Sequence, residues 1–370
     1  MLPIITFILL VTYLILFDYY AKGWKGSGAN FIKEADPSIF ASVIIAARNE
    51  AQNIPALLKS LDLQDYPKEF FEVIIVDDHS TDETRQEILA ALNTNVIYVE
   101  QEMEIFSKKK AIEKGIRISK GELIITTDAD CILPPGWLTT ITGLYQQKKA
   151  AFIAAPVKFS YNHQFLQKFQ AVDFMMLQGI TASGISLNLH YMCNGANLGF
   201  SKNAFREVDG YKGIDRIATG DDMLLMHKIK KHYPGNIFYL KNKDAIVTTA
   251  PMQTWKDFFM QRKRWASKTF VYDDWRIIAI LAFVYLFNTW FFILLTASIF
   301  SPVNFLIVLL FLVIKASVEW NYLKPVARFY SEERLLKYLF LYQPIHIFYT
   351  VFVGAWSQTG NYEWKGRNTK

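Results

Sequence analysis

The sequence predicts an α/β fold with a mostly parallel sheet, flanked by transmembrane helices. From residue 42 onward, short apolar runs alternate with helical patterns; the runs are SVIIA, EVIIVD, VIYVE, ELIITT and AFIAAP. Strands without polar alternation, joined by helical crossovers, form parallel sheets that are covered on both faces. Long apolar runs at both ends of the chain, in a sequence that is 52% hydrophobic, indicate that part of the chain lies in lipid.

The N-terminal apolar run predicts a membrane anchor over residues 1–21. The run itself is short for a span, which needs about 20 residues, but Tyr19 and Tyr20 can extend it through the interface. A secretory signal peptide carries its positive charge before the apolar run, whereas Lys22 and Lys25 follow it here. This order favours a retained anchor with the next domain in the cytoplasm, and we expect a multi-pass protein of a bacterial inner membrane.

The C-terminal part predicts further membrane segments. Two long apolar runs separated by a Ser-Pro turn indicate a transmembrane hairpin over residues 276–320. The next segment, residues 335–356, contains Gln343 and Pro344, so it spans the membrane, re-enters it or lies in the interface. A basic tail follows over residues 357–370.

The charge distribution indicates a membrane surface as partner. The net charge is +6, and basic residues cluster beside the apolar runs, which is the positive-inside pattern. The sequence carries no motif that reads RNA or DNA, so we expect no nucleic-acid partner. Its two cysteines form no CxxC pair, which leaves no disulfide framework or cysteine zinc site to expect.

The chemistry of the predicted soluble domain, residues 36–250, is expected at the carboxyl ends of its strands, where open α/β sheets bind ligands. Arg48 and Glu50 follow the first strand. Asp77 and Asp78 end the second strand. No glycine-rich phosphate loop follows any strand, which argues against dinucleotide enzymes and P-loop NTPases.

The sequence Asp128-Ala129-Asp130 is a candidate metal site. Side chains two residues apart share one face of an extended strand, so the two carboxylates should converge. A hard divalent ion, Mg²⁺ or Mn²⁺, held together with a diphosphate would relieve their repulsion. The plainer explanation is a solvated turn, and for a DxD sequence alone we favour that explanation.

Two further aspartate pairs strengthen the metal-diphosphate interpretation. Ser80 and Glu83 form a predicted capping box for the next helix, which leaves Asp77 and Asp78 available to bind a nucleobase or ribose. Asp221 and Asp222 begin a later helix, where one aspartate would suffice as a cap. A second, ionised carboxylate could act as a general base toward an acceptor hydroxyl.

The segment 251–275 mixes aromatic and basic residues. It predicts an amphipathic helix at the membrane interface. Arginine binds phosphate bidentately and tryptophan can form the wall of a pocket, so the same segment could also close over a diphosphate.

The order of AARNE, VDDHSTDET, TTDAD, NGANLGFSKNAFREVDGY, TGDD and QRKRW resembles the membrane-bound glycosyltransferases of family 2, over roughly residues 40–270. The resemblance implies a GT-A fold and inverting transfer of a sugar from a nucleotide-sugar donor. UDP is the expected nucleotide, with Mg²⁺ or Mn²⁺ as cofactor. The resemblance further indicates a ceramide-glucosyltransferase-like or processive-synthase-like member that acts on a lipid or glycan acceptor.

The resemblance also implies residue roles. It makes Asp77 and Asp78 nucleoside-binding, and Asp128 and Asp130 metal-diphosphate ligands. Asp222 matches the catalytic base, but the neighbouring Asp221 occupies the place of a usual glutamate, so Asp222 and Asp221 are both candidates for the catalytic carboxylate. The substrate-binding set expected from the motifs is completed by Arg48, Glu50, Lys108, Gln261, Arg264 and Trp265, the last three forming the Q-x-x-R-W element.

Two alternatives to a single-transfer lipid glycosyltransferase are kept open. The first is a processive polysaccharide synthase of the same family, although two or three C-terminal spans are few for a polymer channel. The second is a catalytically silent membrane scaffold. The complete set of carboxylates, together with Arg264, argues against the scaffold.

Overall fold

The computed structural model of this chain describes residues 1–28, 37–90, 95–102, 107–215, 220–267 and 274–358, and the backbone of residues 362–364 and 367–369. It contains two compact units. The sheet unit comprises Ser27–Ser160 and Tyr191–Ala250, and the helical unit comprises Met1–Gly26, Tyr161–His190 and Pro251–Lys370. Residues 161–190, which lie inside the predicted soluble range 36–250, are thus grouped with the helices.

Strands and helices alternate along the sheet unit. Its strands are β1 (Ala41–Ala47), β2 (Phe71–Asp77), β3 (Val96–Glu100), β4 (Leu123–Thr126), β5 (Phe152–Ala154), β6 (Val157–Phe159), β7 (Leu198–Ser201), β8 (Ile237–Tyr239) and β9 (Val247–Thr249). Its helices are α2 (Ile54–Asp62), α3 (Thr84–Ala90), α4 (Lys108–Ile118), α5 (Trp137–Lys148), α7 (Lys202–Glu207) and α8 (Met223–His232).

The helical unit contains the long helices. They are α1 (Leu2–Gly26), α6 (Phe165–Ser186), α9 (Trp255–Ala266), α10 (Trp275–Ser298), α11 (Pro302–Tyr330) and α12 (Leu339–Trp356). A short antiparallel hairpin follows in the tail, formed by β10 (Tyr362–Trp364) and β11 (Arg367–Thr369).

The main sheet confirms the predicted α/β class. Its strand order is β3-β2-β1-β4-β7-β5-β8. Strands β3, β2, β1 and β4 are parallel to one another, β7 runs antiparallel to both β4 and β5, and β5 pairs with β8 in parallel. All five predicted apolar runs form strands of this sheet.

Continuous burial explains why two of these runs form the central strands β1 and β2. Every residue of β2 is buried, and six of the seven residues of β1 are buried as well. Since β1 and β2 pair in register from Ala41 opposite Phe71 to Ala47 opposite Asp77, both strands end at the same edge. That edge is where the polar residues emerge from the core.

The predicted capping box at Ser80 is wrong. Helix α3 begins at Thr84, and the Asp82 carboxylate accepts the Thr84 backbone N–H at 3.1 Å. The Ser80 hydroxyl instead accepts the backbone N–H of Asn49 at 3.0 Å. The loop after β2 is therefore tied to the loop after β1, and an aspartate two residues further along serves the helix terminus.

Four helical stretches among the described residues are long and apolar enough to cross a membrane. They are Leu2–Gly26, Trp275–Ser298, Pro302–Tyr330 and Glu333–Trp356. The first and third continue well past the apolar runs recognised in the sequence. Pro344 lies inside α12 without ending it, so this segment is one continuous helix from Leu339.

A buried polar cluster, which the sequence reasoning missed, joins three of these helices. Lys315 of α11 donates to Glu319 one turn later at 2.5 Å and to Gln343 of α12 at 2.6 Å. The Tyr13 hydroxyl of α1 donates to the same Glu319 carboxylate at 2.5 Å. A lysine and a glutamate four residues apart within an apolar run are a signal that could have found it, because ionisable residues in such runs almost always have partners.

Candidate active site at the carboxyl edge of the sheet

The loop after β2 holds two buried carboxylates. Asp77 accepts the backbone N–H of Ser80 at 2.9 Å and the hydroxyl of Tyr98, a β3 residue that the motif analysis did not single out, at 3.2 Å. Burial, followed by the negative charges of Asp77 and Glu100, raises the pKa of Tyr98 to about 12, so its hydroxyl keeps its proton and remains a donor.

Asp78 lies beside Asp77 and is held by the neighbouring loops. Its backbone N–H donates to the carbonyl of Ala47 at 2.8 Å, and an Arg48 guanidinium nitrogen donates to the Asp78 carbonyl at 3.3 Å. Burial raises the pKa of the Asp78 carboxyl, and the contact with His79, 3.1 Å between Oδ1 and Nδ1, acts in the opposite direction. A buried carboxylate of this kind is suited to accept hydrogen bonds from a polar ligand.

Glu50 and Arg48 both follow β1. The Glu50 backbone N–H donates to the Thr84 hydroxyl at 2.7 Å, and its carboxylate accepts from the Asn53 side chain at 2.6 Å. The negative charge of Glu50 also acts on Asp130. The predicted residues of three strand ends are thus brought to one edge of the sheet unit.

Asp128 and Asp130 do not lie on one face of an extended strand, so that prediction is wrong. Strand β4 ends at Thr126, and the backbone N–H of Cys131 donates to the Asp128 carbonyl at 3.2 Å, which closes a turn. The two carboxylates nevertheless interact. Burial, followed by the charges of Asp128 and Glu50, raises the pKa of Asp130 to about 6. Thr249 of β9 donates to Asp130 at 3.2 Å.

Lys108 lies at the centre of the carboxylate cluster. Its ammonium group, on the first residue of α4, lies 2.7 Å from Asp128 Oδ1 and 3.0 Å from Asp221 Oδ2. Burial alone would lower the pKa of Lys108, but the carboxylates of Asp128 and Asp221 outweigh it and hold the pKa well above its usual value. The predicted basic residue therefore joins two of the predicted acidic motifs.

Asp222 is the N-cap of α8. Its Oδ1 accepts the backbone N–H of Met223 at 2.7 Å, and its Oδ2 accepts that of Gly195 at 3.1 Å. Each carboxylate oxygen has a second lone pair, so both can still accept a proton or a hydrogen bond from a substrate. Capping and a catalytic role are compatible at this residue.

Gly195, within the NGAN motif, has a defined place beside this cluster. A Cβ atom at this position would lie 3.4 Å from Lys108 Nζ and 3.5 Å from Asp221 Oδ2. Its backbone N–H already binds Asp222. Gly195 is therefore a residue of the candidate site, to which the motif alone gave no role.

The donor set at this edge fits a hard divalent ion held together with a substrate. No group of three or more His, Cys, Asp and Glu side chains that could hold a metal occurs in the part of the chain that the structure describes. Asp128 and Asp130 alone would supply two carboxylates. Mg²⁺ and Mn²⁺ are commonly bound by one or two carboxylates plus phosphate oxygens and water, and the negative charges of Asp128 and Glu50 both act on Asp130.

Gln261, Arg264 and Trp265 belong to α9 of the helical unit. Helix α9 buries Phe258, Arg262 and Lys263, whereas Trp255 is 39% exposed. The buried face of α9 is therefore not purely apolar, because it includes the charged residues Arg262 and Lys263.

Arg262 organises this segment. It donates to Asp173 of α6 at 2.8 Å and to the Gln261 side-chain oxygen at 2.7 Å, and its guanidinium carbon lies 4.2 Å from the centre of the Trp265 ring. Tyr349 of α12 donates to the same Asp173 at 2.5 Å. Arg262 belongs to the basic residues of the segment 251–275, in which no local pattern identified Asp173 as its partner.

The chain contains a glycosyltransferase family 2 domain. Residues 42–209 match the family model described as Glycosyl transferase family 2. This range contains the strand ends with Asp77, Asp78, Asp128 and Asp130. The subfamily expected from the motifs remains a prediction.

Two curated relatives and one solved structure are similar to this chain. Glycosyltransferase AglE of Haloferax volcanii is 31% identical over 125 residues, which cover 33% of this chain and 40% of that protein. Beta-monoglucosyldiacylglycerol synthase of a Nostoc species is 31% identical over 261 residues, which cover 67% of this chain and 53% of that protein. The chain thus spans about half the length of these relatives or less.

The solved structure is a mannosyltransferase from Pyrobaculum calidifontis in complex with GDP-Man and Mn²⁺. It has a TM-score of 0.59 and 17% sequence identity, and the match covers 97% of this chain and 100% of that one. At this identity the likeness concerns the fold, and it confirms the GT-A-like architecture.

Proposed function

We propose that this chain transfers a sugar from a nucleotide-sugar donor to a membrane-associated lipid or glycan acceptor, with inversion at the anomeric carbon. The observation that carries the proposal is the contact of Lys108 with both Asp128 and Asp221, with Asp130 beside Asp128, at the sheet edge where the buried Asp77 and Asp78 end β2. The family 2 domain and the similarity to a glucosyldiacylglycerol synthase support it.

The proposed residue roles follow from charge and hydrogen-bonding capacity. Asp77 and Asp78 accept hydrogen bonds from the nucleoside of the donor, which we take to be uridine. Arg48 and Glu50 complete that end of the site. Lys108 provides positive charge to the diphosphate.

Asp128 and Asp130 would hold Mg²⁺ or Mn²⁺, which when bound neutralises charge on the leaving diphosphate. Asp222 takes the proton from the acceptor hydroxyl, so that the oxygen can attack the anomeric carbon. Attack opposite the departing diphosphate inverts that centre. Within the helical unit, Gln261, Arg264 and Trp265 are proposed to bind substrate.

The four apolar helical stretches support a multi-pass membrane protein with a membrane-associated acceptor. We propose that the catalytic domain, residues 36–250, faces the cytoplasm and that the chain resides in a bacterial inner membrane. The Q-x-x-R-W element supports an acceptor of the kind used by ceramide-glucosyltransferase-like enzymes.

A panel assay tests the proposed function. Purified protein in detergent is incubated with UDP- and GDP-sugars, Mn²⁺ and extracted membrane lipids, and the products are analysed by mass spectrometry. We expect one lipid class to gain the mass of one hexosyl residue with a UDP-sugar. A ladder of products would favour the processive synthase, and no product with any donor, together with no effect of UDP and Mn²⁺ on the melting temperature, would favour the scaffold.

A further inference from the structure

The Lys108 side chain lies between two acidic motifs in the sheet unit. Its ammonium group contacts Asp128, the first carboxylate of the proposed metal pair, at 2.7 Å and Asp221 at 3.0 Å. The side chains of Lys108, Asp128 and Asp221 are 22%, 35% and 15% exposed, so water screens these contacts only in part. One monovalent cation therefore already neutralises part of the acidic cluster.

A divalent ion and this ammonium group compete for the same negative charge. An ion bound to Asp128 at about 2.1 Å would lie within a few ångströms of Lys108 Nζ, at a distance where two positive charges repel strongly in a partly buried site. Asp130 is the proposed ligand that Lys108 does not contact at hydrogen-bond distance, so the ammonium group takes up Asp128 but leaves Asp130 to the ion. The ion alone would therefore meet an unfavourable cation at the place where it should bind.

A diphosphate changes this balance because it brings negative charge of its own. Its oxygens can take over the hydrogen bonds of Lys108 and can also complete the coordination of the ion. Asp128 is then released from the ammonium group.

From this geometry we infer that the Lys108 ammonium group takes the place of the divalent ion beside Asp128 while no nucleotide is bound. The site therefore binds its divalent ion only together with the nucleotide diphosphate. Lys108 is thus a residue that sets the order of binding, in addition to contacting the donor. The inference rests on the proposed function, since it requires that Asp128 and Asp130 take part in binding a metal-diphosphate.

Titration with Mn²⁺ alone, followed by the electron paramagnetic resonance signal of free Mn²⁺, tests the inference without turnover. The variants Lys108→Met and Lys108→Gln remove the charge at similar side-chain length, and the glutamine keeps a hydrogen-bond donor for Asp128. We expect both to bind Mn²⁺ at least about tenfold more tightly than the wild type in the absence of nucleotide, because an adjacent positive charge has been removed.

Two matched controls separate this local effect from general electrostatics. Lys108→Arg keeps the charge and should stay as weak as the wild type. Lys110→Met removes a positive charge two residues along the same helix, where Lys110 pairs with Glu113 at 2.7 Å, and should change the Mn²⁺ affinity less than twofold.

The outcomes of this experiment are distinguishable. If the wild type binds Mn²⁺ with UDP and neither Lys108→Met nor Lys108→Gln gains affinity for Mn²⁺ alone, the inference is overturned while the proposed function stands. A gain in Lys110→Met equal to that in Lys108→Met also overturns it, as does a wild type that binds Mn²⁺ equally well with and without UDP. If the wild type binds no Mn²⁺ in either condition, the metal-dependent function fails and the inference fails with it.

Discussion

Replacement of Asp222 by asparagine should separate catalysis from folding. The change keeps the shape of the side chain but removes the group proposed to take the acceptor proton. Loss of a general base lowers the rate by about 10²–10⁴-fold, equivalent to about 2.7–5.4 kcal/mol in the activation free energy. We therefore expect kcat to fall at least about 100-fold while donor affinity changes less than threefold.

The structural cost of this substitution can be worked out from its two hydrogen bonds. Asparagine caps helices about as well as aspartate, so the bond from Met223, 2.7 Å long, is retained. The amide nitrogen cannot accept the bond from the Gly195 N–H, now 3.1 Å from Asp222 Oδ2, and loss of such a bond to a charged group costs about 1.5–3 kcal/mol. A domain with at least about 5 kcal/mol of stability would remain more than about 95% folded, so unfolding cannot account for a 100-fold loss.

The assay is transfer of a labelled sugar to the acceptor found in the panel, with donor affinity measured by calorimetry on the same preparations. Asp221→Asn is the matched control, because it alters the adjacent residue and its contact with Lys108, 3.0 Å away, but leaves the Asp222 carboxylate in place. We expect this control to keep at least about a tenth of kcat. An Asp222→Asn variant that keeps more than a tenth of kcat, or an Asp221→Asn variant that loses as much, would refute the assignment of Asp222 as the base.

The remaining predictions concern stability. Because burial raises the pKa of Asp78, its ionised form destabilises the fold at neutral pH. Asp78→Asn should therefore unfold at a higher temperature than the wild type at pH 7, and the difference should shrink as the pH falls toward 4. The same variant should lose affinity for UDP. Lys315→Met leaves the buried Glu319 carboxylate uncompensated and should lower the stability by about 3–5 kcal/mol, whereas the double variant Lys315→Met with Glu319→Leu should lie within about 1–2 kcal/mol of the wild type. Thermal unfolding in detergent measures both variants, and an equal loss of stability in the two would contradict this reasoning. Gly115→Ala places a Cβ atom 2.6 Å from Ile44 Cγ2 in the core. The overpacking cost of about 1–3 kcal/mol should exceed the gain of about 1 kcal/mol in helix propensity, so the melting temperature should fall. A raised melting temperature would show that the core can relax.

Much of the fold was predictable because its signals are local. The apolar runs of β1, β2 and β4 are buried almost without interruption, and these three strands occupy adjacent positions in the sheet. The apolar segments of α1, α10 and α11 were recognisable from length alone, although their ends were not. Burial of a whole strand or span leaves a continuous apolar run that the sequence displays directly.

Local geometry around the motifs was less predictable. The capping box at Ser80 and the extended conformation at Asp128 were both wrong, because another loop binds the Ser80 hydroxyl and a turn closed by the Cys131 N–H bends the chain at Asp128. Asn49 reaches Ser80 from the loop after β1, and the turn at Asp128 begins two residues after β4 ends. A short motif specifies residue types, but its backbone conformation also depends on contacts with the rest of the fold.

By itself, the sequence determined the class of fold, the apolar segments and the acidic motifs at the strand ends, since each of these depends on residues close together in the chain. Only the tertiary structure decided that Lys108 lies between Asp128 and Asp221, that Arg262 is buried against Asp173, and that Lys315 and Glu319 meet Tyr13 and Gln343. The physical reason is that a buried charge must find its partner wherever the packed chain places one. Such partners lie as far apart in sequence as Tyr13 and Glu319, separated by 306 positions, and leave no local pattern that would connect them.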